Sequence, residues 1–231
     1  MSKRMRISAA FISAVFLFIF LTAKVYAIDT DNSGFEMESI SYMGQFDNDF
    51  TISDKENVGT NIKSFDVSRL GNIIICLCNN SVNVYNKSGM FEYAVNYHID
   101  GDSFAFWLGE EVAIYLVRGG LIITLDNTGI KNILDVKNTY DNHMREIELM
   151  ERREIKNDSA VYQLTFSSSF QKTIVMDPTR CIMKNNNGTY VVYENNNATL
   201  NAIAKMLVFL LLVIVWFMIM YNSLKKRKSE E

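Results

Sequence analysis

Along residues 65–89 the chain reads FDVSRLGNIIICLCNNSVNVYNKSG, and its apolar positions keep the beat of strands rather than helices. Ile73 to Cys76 form an unbroken apolar run, the pattern of a strand buried on both faces. Asn79, Asn80 and Ser81 are turn residues; Val82 and Val84 then alternate with Asn83 and Tyr85. NKSG at 86–89 predicts a second turn, with Gly89 suited to a positive φ. Phe91, Tyr93, Val95 and Tyr97 alternate with Glu92, Ala94 and Asn96, giving a period-two strand with an aromatic face.

The next stretch follows the same plan. SFAFWLGEEVAIYLVRGGLIITLDNTGIKNILDV, from Ser103, predicts a strand, a glycine turn, a strand over 112–117, a tight Gly119-Gly120 turn, and strands over 121–125 and 130–136 split by DNTG. Ser64-Phe65 recurs as Ser103-Phe104 at a spacing of 39, and NKSG recurs as DNTG at a spacing of 40. That period is about one four-stranded sheet. DNHMREIELMERREIKND, at 141–158, breaks the rhythm with only a thin apolar stripe. It is expected as a solvated insertion near 138–158; a partner-binding helix is the sharper alternative.

Gly71-Asn72-Ile73, a turn, and Val82-Asn83-Val84-Tyr85-Asn86-Lys87-Ser88-Gly89 followed by Phe91 resemble a blade of the bacterial NHL-like β-propeller repeat proteins. The resemblance is fullest over 64–91 and thinner over 103–136. GQFDNDFTI at 44–52 resembles the outer strand of a preceding blade, and 162–194 a further divergent blade whose DPTRC turn lacks the usual glycine. The resemblance implies a mainly β, antiparallel, propeller-like or degenerate β-blade domain. Propellers close with about four to eight blades, and this chain has room for about four. A small irregular ring and a degenerate sandwich or meander are both open, the second being favoured.

Both ends are apolar. Lys3, Arg4 and Arg6 precede an apolar run from Ile7 to Leu21, and Val25 and Ala27 hold the −3 and −1 positions of a cleavage site. Residues 1–27 therefore read as a secretory signal peptide, or alternatively as an N-terminal transmembrane helix. MLVFLLLVIVWFMIMY, at 206–221, has 16 apolar residues, short of the ~20 that cross a hydrocarbon layer. Residues 200–204 extend it, and Lys205 can reach back to the headgroups along its aliphatic stem. The reading is a transmembrane helix over 204–221, a basic tail over 222–231 and an outer β domain over 28–203. Lys225, Lys226, Arg227 and Lys228 place the tail in the cytoplasm by the positive-inside rule, so the chain is expected as a single-pass protein of the cell membrane with its bulk extracytoplasmic.

Charge sharpens the picture. Residues 28–203 carry 24 acidic and 14 basic side chains, a balance that the whole-chain value of −3 hides. An acidic domain of this kind does not attract phosphates, so nucleic acid is excluded as a partner. Cys76 and Cys78 share one face of a strand and point in parallel, poor geometry for bridging each other. A bridge from Cys181 to either is conceivable outside the cell, but all three are expected as buried small hydrophobes.

No constellation carries catalysis or metal binding. DTDNSG, Asp29 to Gly34, opens like a calcium loop but has Ile40 where the bidentate Glu belongs. His98 and His143 lack ligand-spaced neighbours, and Ser68 lacks a base at a defined spacing. Asp66, Asp126 and Asp177 fall near expected turns, where an Asp more often binds its own backbone two residues on than a ligand. Asn-x-Ser/Thr occurs at Asn79, Asn86, Asn157, Asn187 and Asn197; the resemblance favours a bacterial source, where these sequons carry no meaning. No catalytic, cofactor or metal residue is assigned and no cofactor is expected. The function expected is a non-catalytic binding or scaffold module, its partners the membrane and a protein, peptide or glycan outside it. An envelope enzyme with a site in a propeller channel and a subunit of a membrane complex are the alternatives.

Overall fold

A computed structural model describes residues 34–40, 46, 48–99, 101–175 and 177–228. The leader expected over 1–27 and the start of the DTDNSG loop lie outside the described residues.

Three antiparallel sheets account for the domain. Sheet I is a meander of β3 (Ile62–Val67), β4 (Ile73–Leu77), β5 (Ser81–Tyr85) and β6 (Phe91–Tyr97), with β2 (Phe50–Ser53) added beyond β6. Sheet II is a meander of β7 (Ser103–Leu108), β8 (Glu111–Leu116), β9 (Leu121–Asp126) and β10 (Gly129–Val136), with β1 (Met37–Ile40) added beyond β10. Sheet III runs in the order β11 (Glu154–Lys156), β12 (Ala160–Thr165), β13 (Arg180–Asn185) and β14 (Gly188–Glu194). Among the described residues three α-helices accompany the sheets: α1 (Tyr140–Glu151), α2 (Ser169–Ile174) and α3 (Ala198–Lys228).

The expected unbroken strand is the centre of the stack. Ile73, Ile75 and Leu77 face sheet III, against Tyr162, Cys181 and Met183. Ile74 and Cys76 face sheet II, against Trp107, Ile114 and Ile123. β4 is thus buried on both faces. Each of these side chains, fully removed from water, contributes about 1.5–3 kcal/mol. The far face of sheet II, with Phe104, Phe106 and Tyr115, is covered by Phe35 and by Leu149 and Met150 of α1. The layers therefore run III, I, II, α1, and among the described residues they do not close into a ring. The fold is mainly β with several antiparallel sheets and one long apolar C-terminal helix.

The turns obey their sequence. Gly89 takes φ 76°, its amide donates to the Asn86 carbonyl at 2.8 Å, and Asn86 Oδ1 accepts from the Ser88 and Met90 amides. Asp126 Oδ1 accepts from the Thr128 amide at 2.7 Å, two residues on.

Several expectations are corrected. The strand at 50–53 belongs to no preceding blade: Phe50 pairs with Tyr97 and Ile52 with Val95, and the Phe50 and Tyr97 rings stack at 5.7 Å. Its alternating apolar residues find the same core that β6 lines. The 141–158 segment is not a solvated insertion. It holds α1, whose thin stripe suffices because Leu149 fills sheet II's outer face, and then β11, the first strand of sheet III. Thr139 caps α1 by accepting the Asn142 amide at 3.2 Å, while Asn142 itself is buried on the backbone of Glu36 and Lys137. The divergent blade expected at 162–194 is interrupted by α2 and starts earlier, at β11.

The apolar C-terminal helix is longer than expected. α3 spans 31 residues, about 46 Å at 1.5 Å per residue, and runs through the basic KKRK segment. Leu207, Leu210, Leu212 and Trp216 are all more than half exposed. A helix with bulky apolar side chains all round has no stable place in water, and α3 has the length and composition of one membrane span. Only Asn195, Asn196 and Asn197 separate it from β14.

Candidate functional site

Polar side chains inside the stack are the first place to look for chemistry. On β3, Ser64 and Asp66 alternate with Phe65 and Val67 and are buried. Both aim at the unpaired inner edge of β7. The Ala105 amide donates to Ser64 Oγ at 3.4 Å, and the Trp107 amide donates to Asp66 Oδ2 at 2.9 Å. Sheet II's inner edge is thus blunted by side chains of sheet I instead of by a strand.

Asp66 is the hub. Its other oxygen accepts from Arg152 Nη1 at 3.0 Å, at the C-terminal end of α1. Arg152 Nη2 donates to Glu148 at 3.1 Å, and Glu148 also accepts from Arg145 at 2.8 Å. Burial pushes the Asp66 carboxyl above the ordinary value; Arg152 and the Trp107 and Val67 amides pull it down without cancelling that. Glu148 is lowered on balance: its partial burial, the largest single effect, pushes it up, and the two arginines together outweigh it. One carboxylate therefore ties together sheet I, sheet II and the helix that leads into sheet III.

A second network pins the 54–61 segment on sheet I. Tyr85 donates to Glu56 at 2.6 Å; Asn83 donates to the Asn57 carbonyl at 2.8 Å and accepts its amide at 3.1 Å. Burial, then Glu56, push the Tyr85 phenol far up, so it serves as a fixed donor. A third network joins sheet III to α3. Gln171, buried on α2, accepts from Thr179 Oγ1 at 2.6 Å and from the Ser167 amide at 2.8 Å, and donates to Thr199 of α3 at 3.2 Å. Asn195 donates to Asn61 at 2.8 Å. Each network is occupied with holding elements together.

The residues singled out in the sequence are scattered. Asp66 sits within a strand, not at a turn, because its partners are on β7 and α1. Asp126 is at an exposed turn, where Lys131 and Thr128 hold its carboxyl at about 2. Asp177 is exposed and lies beside the Cys78 thiol at 3.9 Å. Ser68 accepts from the Asn72 amide at 3.1 Å, closing the β3–β4 turn, and His98 and His143 are exposed. Cys76 and Cys181 are buried and free; burial pushes the Cys181 thiol up to about 12. Cys78 is the exception to the expected burial. It follows β4, where the strand has already left the core, and is exposed and free. Partial desolvation and Asp177 raise it to about 11, so it is a poor nucleophile at neutral pH. Among the described residues, no three His, Cys, Asp or Glu side chains are grouped to hold a metal ion.

What the structure does offer is a surface. The outer strands of sheets I and II carry β2 and β1, but β14, the corresponding strand of sheet III, carries nothing among the described residues. Residues 188–191 of β14 are exposed, including Tyr190 and Val191. Asn185 pairs with Gly188 across a two-residue turn, so Gly188 and Tyr190 bond to β13 while Thr189 and Val191 turn their amides outward. Sequence reasoning placed this strand but could not see that its edge is open, because pairing beyond a terminal strand leaves no periodic trace.

No protein-family model matches the chain, and no curated protein matches it. A solved structure of a streptogramin B lyase is similar over 62% of this chain and 45% of that chain, at 11% identity and a TM-score of 0.26. This chain therefore spans under half the length of that protein, and a likeness so slight carries no argument about fold or activity.

Proposed function

We propose that the chain is a single-pass membrane protein whose β domain lies outside the cytoplasmic membrane and serves as a binding or scaffold module rather than an enzyme. The observation that carries this reading is α3: an unburied apolar helix that leaves sheet III after three residues and ends in Lys225, Lys226, Arg227 and Lys228. The positive-inside rule puts that end in the cytoplasm and the domain opposite. The polar networks inside the domain are spent on its own architecture, which favours binding over catalysis. The two four-stranded meanders, whose first strands contain Ser64-Phe65 and Ser103-Phe104, support kinship with the NHL-like repeat proteins, in a short and open form.

The recognition mode follows from β14. Sheets I and II each accept an extended strand at their outer edge, and sheet III offers the same edge to a protein partner, by strand addition. Protease added to intact protoplasts is expected to remove residues 28–203 and spare the tail; a protected domain overturns the topology. A photocrosslinking residue at Thr189 is expected to give a discrete protein adduct in living cells, lost in Val191→Pro, which deletes one outward amide without touching the β13 ladder. An adduct indifferent to that proline rules out strand addition.

A further inference from the structure

α2 lies against the start of α3, and the two are fixed by the buried Gln171, whose Nε2 donates to Thr199. Ser168 caps α2 by accepting the Gln171 amide at 3.1 Å, so the six-residue helix is a defined element. Gln171 takes the protein side, and Phe170 is left 57% exposed, with Lys172 exposed beside it. A phenylalanine left in the open beside the start of α3 asks for a covering surface.

The depth of α3 says which surface. Residues 206–221 rise about 24 Å, and a hydrocarbon core of about 30 Å asks for about four more residues. On the tail side the next residues are Asn222 and Ser223; on the domain side they are Lys205, Ala204, Ile203 and Ala202, which are apolar apart from the lysine's end. The boundary then falls near Ala202, and Thr199 stands about 4.5 Å above it, within a headgroup layer of about 5–7 Å.

We infer that α2 is a membrane-interface helix: Phe170 enters the headgroup–acyl boundary beside the span, and Lys172 meets the lipid phosphates. The occupant is the bilayer that α3 itself crosses, because α2 is continuous with that interface. The inference rests on α3 being a membrane span, on either orientation. It makes the domain sit down on the bilayer at two points instead of turning about one helix.

The test uses the full chain reconstituted in vesicles of phosphatidylcholine and phosphatidylglycerol, with Cys78→Ser removing the exposed thiol. Nitroxide labels go on Phe170→Cys, on Met144→Cys in the exposed part of α1, and on Leu210→Cys within α3. Relaxation by oxygen is compared with relaxation by a water-soluble nickel chelate. At 210 oxygen is expected to dominate strongly, at 144 the chelate, and at 170 oxygen by about two- to threefold on the 144 scale. A 170 label that matches 144 while 210 stays immersed overturns the interfacial helix alone. A 210 label open to the chelate overturns the span and the inference with it.

Discussion

Sheets I and II end differently from sheet III. The first two carry five strands each and end outward in β2 and β1, short strands of four residues, and sheet I's side chains close the inner edge of β7. Sheet III has four strands and ends in β14, seven residues long and unpaired on its outer side among the described residues. An exposed edge is an invitation to pairing, and bulges and short strands are the usual defence. The difference separates a sealed half of the domain, whose outer strands are short, from an open half that ends in a longer exposed strand and leads into α3.

The comparison can be broken first at its centre. Ile74→Asp puts an unpaired charge between sheets I and II, where the side chain is wholly buried. That costs several kcal/mol against a stability of roughly 5–15, and the detergent-solubilised chain is expected to lose its far-UV β signal. Retention of that signal would remove the sealed half as a structural unit.

Asp66 comes next. Asp66→Ala leaves Arg152 half-served and the Trp107 amide without a partner, an expected loss of about 2–4 kcal/mol in urea unfolding. Asp66→Asn, which can still accept from that amide, should lose less. The pH dependence has a definite sign. The folded carboxyl lies above its unfolded value of about 3.8, so its titration contributes stability that is fully present below that value and lost as pH rises through the folded one. The wild type's margin over Asp66→Asn should therefore shrink as pH rises from about 4; a margin that grows there means the Arg152 pair outweighs burial.

Gly89→Val is intermediate. An added Cβ would meet Val192 at 3.5 Å, an ordinary contact, so the cost is the positive φ of 76°, about 1–3 kcal/mol for a β-branched residue. Smallest are the exposed positions: Val191→Asp in the open half and Lys87→Ala in the β5–β6 turn of sheet I each should change the unfolding free energy in urea by no more than about 0.5 kcal/mol. A large loss at Val191 would show that β14 is covered in the intact protein.

Much of the sealed half was legible in the sequence. The run Ile73 to Cys76 and the asparagine and glycine turns gave strand and turn correctly, since local patterns report local burial. The alternation of β6 gave the strand but not its whole face, because the bulge at Val84/Tyr85 turns Phe91 toward sheet III while Tyr93, Val95 and Tyr97 face sheet II. Residues whose partners are distant were not legible. Asp66 binds across to Trp107 and to Arg152, 86 residues away, and the same letters fit an ordinary turn aspartate. A charged residue between Phe65 and Val67 in a buried strand was the available warning. α1 looked too polar to be buried because Leu149 is its one fully buried apolar side chain. α2 hid behind three serines, one of which caps a helix within the segment expected as a divergent blade. For the candidate surface, the strand β14 could be read, but its open edge and Phe170's placement could not.

The N-terminal strands also set an order in time. β2 is made about 40 residues before β6 and β1 about 90 before β10, so at roughly 5–20 residues per second they wait on the order of 2–8 s and 5–20 s for their partners. Each partner edge is born with its closing strand already present, and nothing has to find it later. β14 is synthesised last of all the strands, immediately before α3, and no unpaired strand among the described residues precedes it. On the strand addition proposed above, the moment at which β14 meets a strand is set by the partner's arrival, not by the ribosome.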